Sequence, residues 1–208
     1  MLKNNIMVYV KTTETCNLNC DHCFTSGTRG AKIYFNPDKV ARWVNELKKQ
    51  NPQLSGHFEF HGGEPFLAPV EDMERFYELT QEYWNGDATY GITSNLVIKL
   101  TEKRLAFLDE VCNKRMGTSW DPTIRFDNEK QRALFESNVK LLLDRGYTIK
   151  LFVSLTNDTI EMGPAKLMNY VKSLGVQEMA LERITHDGNA NLNPVFPSNL
   201  ALQQYFLD

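Results

Sequence analysis

Six short apolar, strand-like runs alternate with helix-length segments along almost the whole chain, and this alternation restricts the fold more than any other feature. The runs fall at 6–11, 57–61, 89–93, 116–120, 148–155 and 178–184. The first helix opens at Asn36-Pro37-Asp38, an N-cap followed by proline in the first turn. Its Val40, Trp43, Val44 and Leu47 recur at the spacing of one helical face. A second helix over 71–84 is expected to turn Met73, Phe76, Tyr77, Leu79, Thr80 and Tyr83 toward the core. Further helices are expected over 101–111, 129–144 and 163–174, the last two closed by Gly146 and Gly175. Strands separated by helices imply a parallel sheet with right-handed crossovers and helices outside. A flat doubly wound sheet and a barrel both satisfy that pattern.

At 208 residues the chain can bury a sizeable core. A net charge of −3 leaves no electrostatic footprint for nucleic acid or an anionic membrane. No apolar run is long enough to span a bilayer, and the N-terminus shows no secretory h-region, so a cytoplasmic protein is expected. Lys48 and Lys49 read as a solvated helix end, and His57 and His61 as structural histidines flanking a strand.

Three of the four cysteines stand in one run, Cys16-Asn-Leu-Asn-Cys20-Asp-His-Cys23, directly after the first strand. This is no disulfide framework. Clustered thiolates are soft metal ligands. A single zinc ion would want a fourth ligand, for which His22 is the nearest candidate, crowded as it is between two cysteines. A [4Fe–4S] cluster held by three cysteines keeps one iron open for chemistry. Cys112 stands apart and reads as a buried apolar thiol.

The C-x3-C-x2-C run resembles the signature of the radical S-adenosylmethionine (radical SAM) superfamily, with His22 where that family usually carries an aromatic ring. The resemblance implies a partial (β/α)6 barrel, a TIM-barrel-like fold open on one side, with its site at the carboxyl ends of the strands. It implies a [4Fe–4S] cluster on Cys16, Cys20 and Cys23, with S-adenosylmethionine chelated at the open iron. Reductive cleavage there yields a 5′-deoxyadenosyl radical that abstracts hydrogen from a substrate. A flavodoxin- or ferredoxin-like donor supplies the electron.

Motifs at the strand ends extend the resemblance. Gly62-Gly63-Glu64-Pro65 matches the family's turn that receives the cofactor's amino group; glycines let a ligand approach, and the Glu64 carboxylate can accept hydrogen bonds. Ser94 and Asn95 after the third strand, Ser119 and Asp121 ending the fourth, and Asn157 after the fifth stand where the family contacts the cofactor. A helix N-cap or turn is the ordinary role for Asp121 and Asn157. On the sixth strand Leu181 alternates with Arg183, so both share a face, and Arg183 is expected to look into the cavity. The segment Gly188-Asn-Ala190-Asn resembles the family's exit loop.

The Ser-x-Asp and Gly-x-Ala details look like the branch that modifies peptides and proteins, such as sulfatase-maturating enzymes. That branch normally adds a cysteine-rich C-terminal domain for auxiliary clusters, which this sequence does not contain. Residues 1–185 are therefore expected to form the barrel. Residues 186–208, polar and rich in Asn and Pro, are expected to form an extension, the start of a shortened or partner-completed region. A small-metabolite enzyme of the same superfamily is the alternative, and a non-catalytic iron–sulfur or zinc protein is a further one. A degenerate member that binds cofactor without chemistry is the last. The reaction class stays open.

Overall fold

The computed structural model describes residues 4–25, 27–193 and 195–207. Strand β1 (Asn5–Thr13) leads through the cysteine loop to helix α1 (Pro37–Gln50). Then come β2 (Ser55–Gly62), α2 (Val70–Trp84), β3 (Ala88–Ile92), α3 (Glu102–Glu110), β4 (Arg115–Trp120), α4 (Glu129–Asp144) and β5 (Thr148–Leu155). The chain continues through α5 (Asn157–Met162), α6 (Pro164–Leu174), β6 (Glu178–Arg183) and α7 (Asn199–Tyr205).

All the strand pairings are parallel, in two sheets of order β1-β2-β3 and β4-β5-β6. A single bridge, Thr93 to Gly117, joins them at the carboxyl end of the seam. The result is the partial (β/α)6 barrel expected from the sequence. Outward-facing residues of the strands pack under the helices. Phe58, Phe60 and Ile92 have no exposed surface, and Phe58 meets Phe76 and Trp84 edge to face at 5.4 and 5.0 Å. Burying each such ring stabilises the fold by about 1.5–3 kcal/mol. Inward-facing residues line a cavity of about 700 Å³, whose wall includes Tyr9, His57, His61, Gly91, Ser119 and Lys150.

Local signals place the helices well. Asn36, Thr101 and Asn128 each accept a backbone N–H as side-chain N-caps. Three expectations, for Trp43, Tyr83 and Lys48, need correction. Trp43 is 55% and Tyr83 46% exposed, because each sits at the edge of its helix's apolar stripe. Lys48 is not a solvated end: it is buried, and its ammonium meets Pro52 O, Leu54 O and Asp87 Oδ2 at 2.7, 2.8 and 2.6 Å. Residues 157–162, ahead of the helix expected over 163–174, form the short helix α5, capped by Thr156. Residues 186–208 include an ordered turn at Gly188–Asn191 and helix α7, and they pack back on the barrel through Asn157 N to Val195 O, 2.9 Å.

Candidate cofactor site

The cysteine loop leaves β1 at the carboxyl end of the barrel and is tied to four strand ends and the tail. At β2, Gly63 N and Glu64 N donate to Thr13 O and Thr15 O, at 3.0 and 2.9 Å. A methyl group on Gly63 would sit 2.1 Å from Thr15 O, and one on Gly62, where φ is +140°, would sit 2.3 Å from Thr13 O. The close approach that these glycines permit is thus to the chain's own backbone.

Glu64 is fully buried. Its Oε1 accepts Phe66 N and Ser94 Oγ at 3.1 and 2.8 Å, and its Oε2 accepts Asn95 N at 2.8 Å. The carboxylate and the Ser94 hydroxyl, both expected to meet the cofactor, join the end of β2 to the end of β3. Burial raises the Glu64 pKa, and these donors hold part of that rise back. Pro65 opens the buried 3-10 turn that follows.

At β3, Asn95 Nδ2 approaches Cys16 Sγ at 3.5 Å and donates to Asn17 Oδ1 at 2.8 Å. Cys16 Sγ also accepts Leu18 N at 3.3 Å. Such N–H donors stabilise a thiolate and orient it. At β4, Asp121 has no exposed surface; its Oδ1 accepts Thr123 N, Ile124 N and Arg125 N at 3.3, 2.8 and 3.1 Å, so it caps its own turn. His22 Nε2 lies 3.2 Å from Arg125 Nη2 and 3.3 Å from Ser154 Oγ, and its Nδ1 lies 3.8 Å from Asp121 Oδ2. Both ring nitrogens thus face protein groups of β5 and the loop after β4. Burial, aided by Arg125, pushes the His22 pKa down to about 4.

Two candidates are placed elsewhere. Arg183 is exposed and donates to Asn199 of α7. It does share a face with Leu181, but that face looks outward; Glu178 and Glu182 are the β6 residues in the cavity wall. Asn157 is exposed at the start of α5, with its N–H committed to Val195. Ser119 lies in the cavity wall.

One residue of the site went unassigned. Asn189, 3% exposed, donates N to Cys23 O at 2.8 Å and Nδ2 to Cys20 O at 3.0 Å, while Arg29 donates to its Oδ1. A methyl on neighbouring Gly188 would sit 2.4 Å from Cys23 O. The Gly-Asn pair was visible in the exit loop; its target was not. Asn189→Ala is expected to loosen this joint by about 1–3 kcal/mol. The melting temperature should fall by roughly 2–12 °C, and iron should leave the loaded protein faster in a chelator-competition assay.

Burial raises the pKa of Cys16 and pushes that of Cys20 up to about 12, and the neighbouring thiols add to the rise. Bare thiols in this position are poor acids, and a bound metal centre supplies the counter-charge that makes them thiolates. Among the described residues no three His, Cys, Asp or Glu side chains converge as ligands of a single ion. A four-iron cluster asks for something else, one thiolate on each of three irons, and three soft donors on one loop fit that demand.

The model of the radical SAM superfamily matches residues 10–121, from the end of β1 to Asp121. The chain belongs to the radical SAM superfamily. The cofactors of this enzyme superfamily are a [4Fe–4S] cluster and S-adenosylmethionine. A cysteine-type anaerobic sulfatase-maturating enzyme of Clostridium perfringens (strain 13 / Type A) is 38% identical over 74 residues, 33% of this chain and 20% of that protein. An S-adenosylmethionine-dependent nucleotide dehydratase of Fibrobacter sp. (strain UWH6) is 28% identical over 94 residues, 43% of this chain and 27% of that protein. Among solved structures, native anSMEcpe with bound AdoMet superposes with a TM-score of 0.71 at 21% identity, covering 87% of this chain and 51% of that one. Streptococcus suis SuiB gives 0.61 at 14% identity, covering 88% and 40%. These likenesses show the shared fold. The radical SAM chain described here spans about half, or less, of the proteins that it resembles. Among its described residues no helix is long and apolar enough to cross a membrane.

Proposed function

We propose that this chain is the catalytic barrel of a radical SAM enzyme that modifies a peptide or protein side chain. The observation that carries the reading is the cysteine loop itself, braced at β2, β3, β4, β5 and the tail, with Cys20 buried and Cys16 and Cys23 half-buried beside it. Cys16, Cys20 and Cys23 would hold the cluster, and Asn95 and Leu18 N–H would orient the Cys16 thiolate. When bound, the cluster and S-adenosylmethionine supply a 5′-deoxyadenosyl radical that removes hydrogen from the substrate. Ser119, in the cavity wall at the end of β4, is the strand-end residue best placed to meet S-adenosylmethionine. The cavity, about 700 Å³, fits the size of ligand sites. A flavodoxin- or ferredoxin-like protein would deliver the electron.

Peptide action is favoured by the kinship with a sulfatase-maturating enzyme and by the fold shared with SuiB, one of whose solved structures holds the precursor peptide SuiA. The dehydratase kinship favours a second reading, a nucleotide substrate. Competition separates them. Reduced, cluster-loaded protein is incubated with S-adenosylmethionine and either cysteine- or serine-containing peptides or nucleoside triphosphates. The peptide reading expects 5′-deoxyadenosine release to rise with peptide, together with a mass change in that peptide. Stimulation by nucleotides alone contradicts it.

A further inference from the structure

The loop after β4 carries a buried cation to the back of the cysteine loop. Arg125 is 8% exposed, and its carbonyl accepts a contact from Cys20 Sγ at 3.9 Å. Its Nη2 lies 3.2 Å from His22 Nε2. A guanidinium only donates, so Nε2 is the acceptor and the ring proton sits on Nδ1, turned toward Asp121 Oδ2 at 3.8 Å. Arg125 Nε lies 3.4 Å from the same Oδ2. Arg125 Nε, His22 Nδ1 and Asp121 Oδ2 complete no hydrogen bond. The arrangement is thus an ion pair bridged by a neutral imidazole, loosely closed, with the guanidinium against His22 of the cysteine loop, two residues from Cys20, and the Arg125 carbonyl facing the Cys20 thiol. Buried charges that leave hydrogen bonds unmade are costly and need a reason.

We propose that Arg125 sets the reducing power of the cluster site, its guanidinium stabilising the extra negative charge that reduction places on a cluster held by Cys16, Cys20 and Cys23. The inference rests on the cofactor reading of the loop. Three thiolates make the loaded site negative, and one added electron makes it more so. Nearby charge and second-shell contacts tune such potentials. Charge within about 10 Å, screened as in real proteins, is worth roughly a factor of ten in this equilibrium. Asp121 acts in the opposite sense, and its Oδ1 cap on the loop is separate from the Oδ2 that faces the cation.

The test is a spectroscopic redox titration of the reconstituted protein, with iron content measured first. Arg125→Gln should make reduction about tenfold less favourable, 59 mV lower for one electron. Arg125→Lys should stay near wild type, and Asp121→Asn should shift the midpoint upward. If Arg125→Gln does not fold, Arg125→Met, of similar length and without charge, carries the test with the same expected shift. Wild-type protein that takes up no four-iron cluster would sink the cofactor reading. Loaded variants with unchanged midpoints would overturn the role of Arg125 and leave that reading standing.

Discussion

Cys20→Ala is expected to give a folded protein that, after anaerobic reconstitution, holds no four-iron cluster and releases no 5′-deoxyadenosine above a protein-free control. Cys20 is the most deeply buried of the three clustered thiols, beside Arg125 and beneath the Asn189 joint. A cluster that has lost one of three protein ligands exposes a second iron and is readily shed. Cys112→Ala is the matching control. Cys112 is as buried, at 1% exposure, but lies at the end of α3, away from the loop. Its removal should cost about 1 kcal/mol of packing and leave iron content unchanged. Iron and sulfide analysis, with the visible spectrum, checks both variants.

Glu64→Ala should be the most damaging single change for the fold at the site. It leaves Phe66 N, Asn95 N and Ser94 Oγ buried without their acceptor. Each orphaned group costs about 1–3 kcal/mol, and because they share one acceptor the costs do not simply add. A net loss of roughly 3 kcal/mol is expected, which lowers the melting temperature by roughly 6–12 °C for a chain of this size. Glu64→Gln keeps one oxygen and should cost less. The pH dependence has a definite sign. Burial raises the folded pKa of Glu64 above its unfolded value. The site's contribution is therefore fully present below the unfolded carboxylate range and is lost as pH rises through the raised folded value. Thermal melts of wild type and Glu64→Gln across that range check this, since the amide removes the dependence.

Residues that act locally were legible in the sequence. Asn36, Thr101 and Asn128 cap helices because capping needs only the next three residues. The C-x3-C-x2-C run pointed to the superfamily that the match over residues 10–121 shows, because its spacing is local. What depends on a second, distant segment was not legible. Glu64 and Ser94 carry groups that suit a ligand or the backbone equally well, and only the approach of β3 to β2 decides between them. Arg183 follows the alternation of β6, yet a strand with polar residues on both faces does not declare which one lines the cavity. Lys48 looks solvated until the turn at 52–54 brings two carbonyls to it. Asn189 lies 169 positions from the Cys20 carbonyl that it holds, beyond any local pattern.

The measurement that tests the central claim most directly is the cleavage of S-adenosylmethionine itself. Protein reconstituted anaerobically with iron and sulfide is reduced with dithionite, mixed with S-adenosylmethionine and followed for 5′-deoxyadenosine. The account predicts 5′-deoxyadenosine from the wild-type chain and none from Cys20→Ala. Zinc in place of iron, or a stable four-iron cluster that leaves S-adenosylmethionine intact, would contradict it.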